Sequence, residues 1–150
     1  MVHDFKKFPE LTNSQMDIYY FESPHKQILD DFEAEVVKVH DGDTITLRTD
    51  FREFDFPLRF LDTNAPELNE DGGHEARDWL KSRIEGEKVE IKINPNQRVG
   101  KFGRLLGRVH HGGMDINDES MRMGFATSFE NRREGQLPSM EKELAVRNWL

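Results

Sequence analysis

A chain of 150 residues without a cysteine excludes a disulfide framework, a thiolate metal site and a cysteine nucleophile. Apolar residues make up 35% and charged residues 33% of it, which is polar for a folded protein, but 11 Phe and 2 Trp supply large pieces for one core. A net charge of −8 excludes polyanion binding over the whole surface, and no apolar run approaches the ~18 residues of a membrane span.

Residues 1–32 carry aromatics without a clean period and are broken at Pro9 and Pro24, so they read as an N-terminal extension to a domain at 33–150. A short helix is expected around residues 12–20. Phe5, Phe8, Tyr19, Tyr20 and Phe21 are expected to pack on the domain, because a cluster of exposed aromatics is costly; docking to a protein partner is the other reading. The N-terminus has no apolar stretch of the signal-peptide kind, which leaves the cytoplasm as default and the compartment unknown.

From Glu33 the period is that of strands. "EAEVVKVH" is followed by the turn signal Asp41-Gly42-Asp43 and by "TITLRT", where Ile45 and Leu47 alternate with Thr44 and Thr46. Phe54, Phe56, Leu58 and Phe60 recur every second residue, with Arg59 on the opposite face. "GGHEARDWLKSRIEG" changes to helical period: Ala76, Trp79, Leu80 and Ile84 share a face and Gly86 ends it. "EKVEIKIN" is a fourth strand with Val89, Ile91 and Ile93 inward, "PNQRVGKFG" a loop, and "RLLGRVHH" a fifth strand. "DINDESMRMGFA" predicts a short helix closed near Gly124, and "PSMEKELAVRNWL" a C-terminal helix capped by Ser139. Five short strands with a helix after the third are the layout of an OB-type barrel: class α+β, mainly β, a five-stranded barrel with three helices.

Charge is unevenly spread. Residues 91–114 contain no Asp or Glu, where about 4 to 5 would be expected at the chain's average. The same stretch holds Lys92, Arg98, Lys101, Arg104 and Arg108, a sector that could grip a polyanion locally or be a solvated basic hairpin. His40, His74, His110 and His111 lack helical pairing or a matching acid and read as surface or turn residues.

Five pieces, "VHDGDTITL", "LRFLDTNAPE", "GHEARDWL", "NQRVGKFGRLLGRV" and "INDESMRMGFA", occur in an order and spacing that resemble the staphylococcal nuclease (thermonuclease) family over about residues 33–149. The first alone is common; the five in order are specific. The resemblance implies an SNase-like OB-fold and a metal-dependent phosphodiesterase, usually requiring Ca²⁺ or else another divalent cation, acting on DNA and RNA as an endo- or exonuclease. It implies that Asp43, Asn64 and the carbonyl of Ala65 stand at the metal positions. It assigns Arg59 and Arg104 to phosphate clamping, Glu67 to the attacking water, and Lys101 and Phe102 to the bound nucleotide. The chemistry is coherent: guanidinium groups hold phosphoryl oxygens bidentately, a hard cation neutralises charge, and a carboxylate takes a proton from water.

Two departures qualify the resemblance. Asn64 stands where the family has a second ligand aspartate, so one anionic ligand is replaced by a neutral amide oxygen; a local bulge could let Asp62 substitute. Phe102 replaces a tyrosine, and neither Phe129 nor Glu130 supplies the family's second pocket tyrosine. Two other readings therefore stay open: a catalytically silent OB module that binds nucleic acid or protein, and an interaction protein acting through residues 1–32. A monomer is expected; DNA versus RNA is left open.

Overall fold

The period-two stretches curl into a closed barrel. The computed structural model describes residues 3–100 and 103–128. Strands β1 (Phe32–Asp41), β2 (Thr44–Arg48), β3 (Phe56–Phe60), β5 (Lys88–Lys92) and β6 (Leu105–His111) are hydrogen-bonded in the order β3-β2-β1-β5-β6. A parallel pairing of β3 with β6, Leu58 opposite Leu105 and Arg59 opposite Leu106, closes the ring. The fold is an OB-type barrel, mainly β, and no strand edge is left along this seam. Two features permit the curvature. Register shifts in β1 between Val36 and Lys38 and between Val39 and Asp41 bend the longest strand. Gly107 lets β6 approach, since a Cβ there would lie 2.8 Å from Ile91 Cγ2.

The barrel is filled by the inward set that the alternation predicts, including Val36, Ile45, Leu47, Phe56, Leu58, Phe60, Ile91 and Val109. Helix α2 (Gly73–Ile84) adds Leu80 and Ile84 to this core and ends before Gly86, whose φ of 84° suits a residue without a side chain. Helix α3 (Ile116–Arg122) is capped by the Asp115 carboxylate, which accepts from Asp118 N. β7 (Met114–Asp115) extends β6. β4 (Thr63–Asn64) pairs with β8 (Thr127–Ser128) as a small second sheet. A satellite cluster of Ala65, Ala76 and Ala126 lies beside that sheet, covered by Met121 and Phe125, and Trp79 stacks on Phe125 at 5.3 Å.

The extension carries α1 (Asn13–Tyr19), opened by a capping box between Thr12 and Gln15, and a 3₁₀ turn at Tyr20–Glu22. The aromatic cluster behaves differently from expectation. Phe5, Phe8 and Tyr19 are half-buried, but Tyr20 is exposed and Phe21 is 97% exposed. Buried Leu11 and Ile28 hold the segment together with polar side chains set out below. Phe54 precedes β3 rather than joining it, and its ring lies 5.0 Å from the Arg52 guanidinium. The expected C-terminal helix lies outside the described residues. No helix among the described residues is long and apolar enough to cross a membrane.

Candidate active site

The DGDT stretch is the turn from β1 to β2. The Asp43 N–H donates to the Asp41 carboxylate at 3.0 Å, and the Asp43 carbonyl accepts from Phe60 N at 2.8 Å. Gly42 is needed for close approach: a Cβ there would meet the Cβ of Ala65 at 2.5 Å and that of Ala76 at 2.9 Å. The turn therefore presses directly on α2 and on the loop after β4. In consequence the Ala65 N–H donates to Asp43 Oδ2 at 2.9 Å, and the Thr44 hydroxyl to Oδ1 at 3.1 Å.

Arg59 projects from the outer face of β3, between inward Leu58 and Phe60. Its guanidinium folds over the turn into β4. Nη1 donates to the carbonyls of Phe60 and Thr63 at 2.8 and 3.0 Å; Nη2 donates to the Asn64 amide oxygen and lies 3.3 Å from Asp43 Oδ2. Burial is the main force on the Asp43 carboxyl and pushes it up. Arg59 and the Ala65 N–H pull it back, Asp41 adds like-charge repulsion, and the result is about 6. Asp41 and Thr44 are site residues that individual assignment passed over, although both stand in the quoted DGDT motif.

Asn64 is held by the β4–β8 pairing opposite Thr127 and is 7% exposed. Its amide nitrogen is buried with no hydrogen-bond partner among the described residues. Asp62, the alternative acid, takes a left-handed φ of 56°, is exposed, and exerts its charge on Arg108 rather than on Asp43. The left-handed residue breaks the alternation that would have put 62 and 64 on one face. Glu67 lies two residues beyond Ala65 and is exposed. Its N–H donates to Glu70 Oε1 at 2.8 Å, and its carbonyl packs so tightly on Gly73 that a Cβ at 73 would lie 1.9 Å from it.

Arg104 immediately precedes β6. Since Leu105, Gly107 and Val109 point inward, Arg104 and Leu106 share the outer face with Arg59, and Arg104 stands about 7 Å along the strand from the residue opposite Arg59. Carried one residue back from β6, the same alternation assigns Arg104 to the face that bears Arg59. Lys101, Phe102, Phe129 and Glu130 lie outside the described residues.

Three side chains of the basic sector are paired with acids. Lys92 pairs with Asp31 at 3.6 Å and Glu90 at 3.2 Å, Arg108 with Asp115 at 2.8 Å and Asp118 at 2.7 Å, and Arg98 is buried 3.7 Å from Glu10. Glu90, Asp115 and Asp118 stand just outside the acid-free stretch, and Asp31 and Glu10 come from before β1.

The oxygen atoms at this site suit a hard cation. The Asp43 carboxylate, the Asp41 carboxylate beside it and the Asn64 amide oxygen are all hard donors, and repulsion between the two acids is what a bound cation would relieve. Among the described residues no group of three or more His, Cys, Asp or Glu forms such a cluster, so the charge available is that of two carboxylates.

Comparison with known proteins bears on the family. The family model "Staphylococcal nuclease homologue" matches residues 57–146, which include Arg59, Asn64, Glu67 and Arg104 but begin after Asp43. A protein of Escherichia coli O157:H7 named "Uncharacterized endonuclease" is 31% identical over 115 residues, covering 75% of this chain and 72% of the relative, and an Escherichia coli protein of the same name matches equally. "Probable endonuclease LCL3" of Komagataella phaffii is 31% identical over 102 residues, 61% of this chain and 43% of the relative.

Proposed function

The chain belongs to the staphylococcal nuclease family, and from that premise we propose that the Asp43–Arg59 seam hydrolyses phosphodiester bonds of DNA or RNA with the help of a bound divalent cation, calcium first among them. The protein is a nuclease; the cation, the substrate's sugar and the residue roles are the parts proposed. The observation that carries the reading is the guanidinium of Arg59, 3.3 Å from a buried carboxylate; the alternation of β6 supports a place for Arg104 on the same face.

In this reading Arg59 and Arg104 hold two oxygens of the scissile phosphate and stabilise the charge that grows there. Asp43, Asn64 and the Ala65 carbonyl would hold the cation, with Asp41 behind Asp43. When bound, that cation supplies charge neutralisation and positions the phosphate. Glu67 is exposed on a loop tied down by Glu70 and Gly73, which favours a role in taking a proton from attacking water. Arg59 needs little reorganisation, because Phe60, Thr63 and Asn64 already hold it.

The test is cleavage of a single-stranded DNA oligonucleotide with and without millimolar-range Ca²⁺, run beside Arg104→Ala. Calcium-dependent cleavage that falls about 10²-fold or more in the variant supports the reading. Equal residual cleavage in both proteins marks a contaminant and removes it. Asn64 favours one second reading, a binding module that has lost its cation. That reading holds if calorimetry finds no Ca²⁺ uptake until Asn64→Asp creates it together with cleavage.

A further inference from the structure

The N-terminal segment grips the hairpin that carries Arg104, and most of the polar grip passes through one buried guanidinium. Arg98 is 3% exposed. Its Nε donates to the Ile28 carbonyl at 2.7 Å, its Nη1 to the Leu11 carbonyl and the Asn13 side chain, each at 3.0 Å, and its Nη2 lies 3.7 Å from Glu10 Oε1. Every one of these partners belongs to the segment before β1. Glu10, also 3% exposed, accepts from Ile28 N at 3.0 Å and pairs with Arg52 at 2.6 Å. Asn13 returns a bond to the Pro95 carbonyl at 2.9 Å, and the Phe8 ring fills the space a Cβ at Gly103 would need, 2.6 Å from Phe8 Cδ1.

The backbone of Arg98 continues this grip into the site. Its carbonyl accepts from Leu106 N at 2.8 Å, and Leu106 is the residue opposite Arg59. One turn further, Gly100 N donates to the Arg104 carbonyl at 2.8 Å. The hairpin base is thus fixed on one side by the barrel seam and on the other by residues 8–13 and 27–28. A buried acid shared by two arginines is a poor source of net stability but a strong constraint on geometry.

We infer that Glu10, Asn13 and Arg98 are positioning residues for the nuclease reaction, holding Arg104 at the distance from Arg59 that a phosphate requires. The inference rests on the proposed role of Arg104. It predicts that cutting this grip lowers turnover through Arg104 and leaves substrate affinity largely alone.

The experiment is a double-mutant cycle on the full chain, with kcat and KM measured on a single-stranded DNA oligonucleotide in Ca²⁺ and folding checked by thermal melting. Glu10→Gln and Asn13→Ala are each combined with Arg104→Ala. Asn13 lies on the exposed side of the network, so its variant carries the test should Glu10→Gln fail to fold. Either single change is expected to lower kcat by about 10-fold or more with KM altered less than about threefold, since small misplacements of a catalytic group are costly. In the Arg104→Ala background the same change is expected to lower kcat no further. An equal fall in both backgrounds, or no fall in folded single variants, overturns the inference while leaving the nuclease reading intact. Loss of no activity in Arg104→Ala itself overturns both.

Discussion

Burial and the neighbouring Asp41 hold the Asp43 carboxyl at about 6, against an ordinary 3.8. The protonated form is therefore favoured in the folded, cation-free chain. That contribution is fully present below pH 3.8 and is lost as pH rises through about 6. The difference corresponds to about 3 kcal/mol. In EDTA, wild type is expected to lose stability relative to Asp43→Asn between about pH 4 and pH 7, read from urea midpoints across that range. Parallel curves for the two proteins would remove the electrostatic account of this residue. Adding Ca²⁺ should flatten the wild-type curve, because a bound cation favours the ionised form. Asp43 and Arg59, which the structure brings together, were legible in the sequence through the motifs that carry the family resemblance. The orphaned amide nitrogen of Asn64 and the left-handed Asp62 were not, since both depend on how two residues of β4 meet β8.

The strands of the barrel were legible for a different reason. Each buries one face, so hydrophobic alternation marks Val36, Ile45, Leu58 and Ile91 as inward before any contact is known. The two-residue strands β4, β7 and β8 are too short to have a period, and β4 is the one that carries Asn64. The N-terminal segment was misread for a related reason: its aromatics suggested apolar packing, whereas its attachment runs through Leu11, Glu10, Gln27 and the long-range partners Arg52 and Arg98. Leu11 is fully buried and Phe21 almost fully exposed. Leu11→Ala is expected to cost about 2–5 kcal/mol in urea unfolding. Phe21→Ser should stay within about 0.5 kcal/mol of wild type. A Leu11→Ala variant as stable as wild type would mean that this segment is not part of the folded unit.

At the scale of the whole molecule, topology does what composition conceals. The chain carries a net charge of −8, and Lys92, Arg98 and Arg108 of the apparent basic run are each paired with acids. Yet closing the barrel by parallel β3–β6 pairing sets Arg59 opposite Leu106, two residues from Arg104 and far from it in sequence. The tight packing of Gly42 on Ala65 and Ala76 delivers Asp43 to the same place. In the proposed reading, function is concentrated at this seam. The measurement that probes this concentration most directly is the rate of oligonucleotide cleavage by Asp43→Asn across a calcium titration, beside wild type. A rate reduced by about 10²-fold or more at subsaturating calcium is predicted, from the loss of the buried carboxylate that Arg59 contacts and that the proposed cation would share. Cleavage at the wild-type rate and with the wild-type calcium midpoint would contradict it.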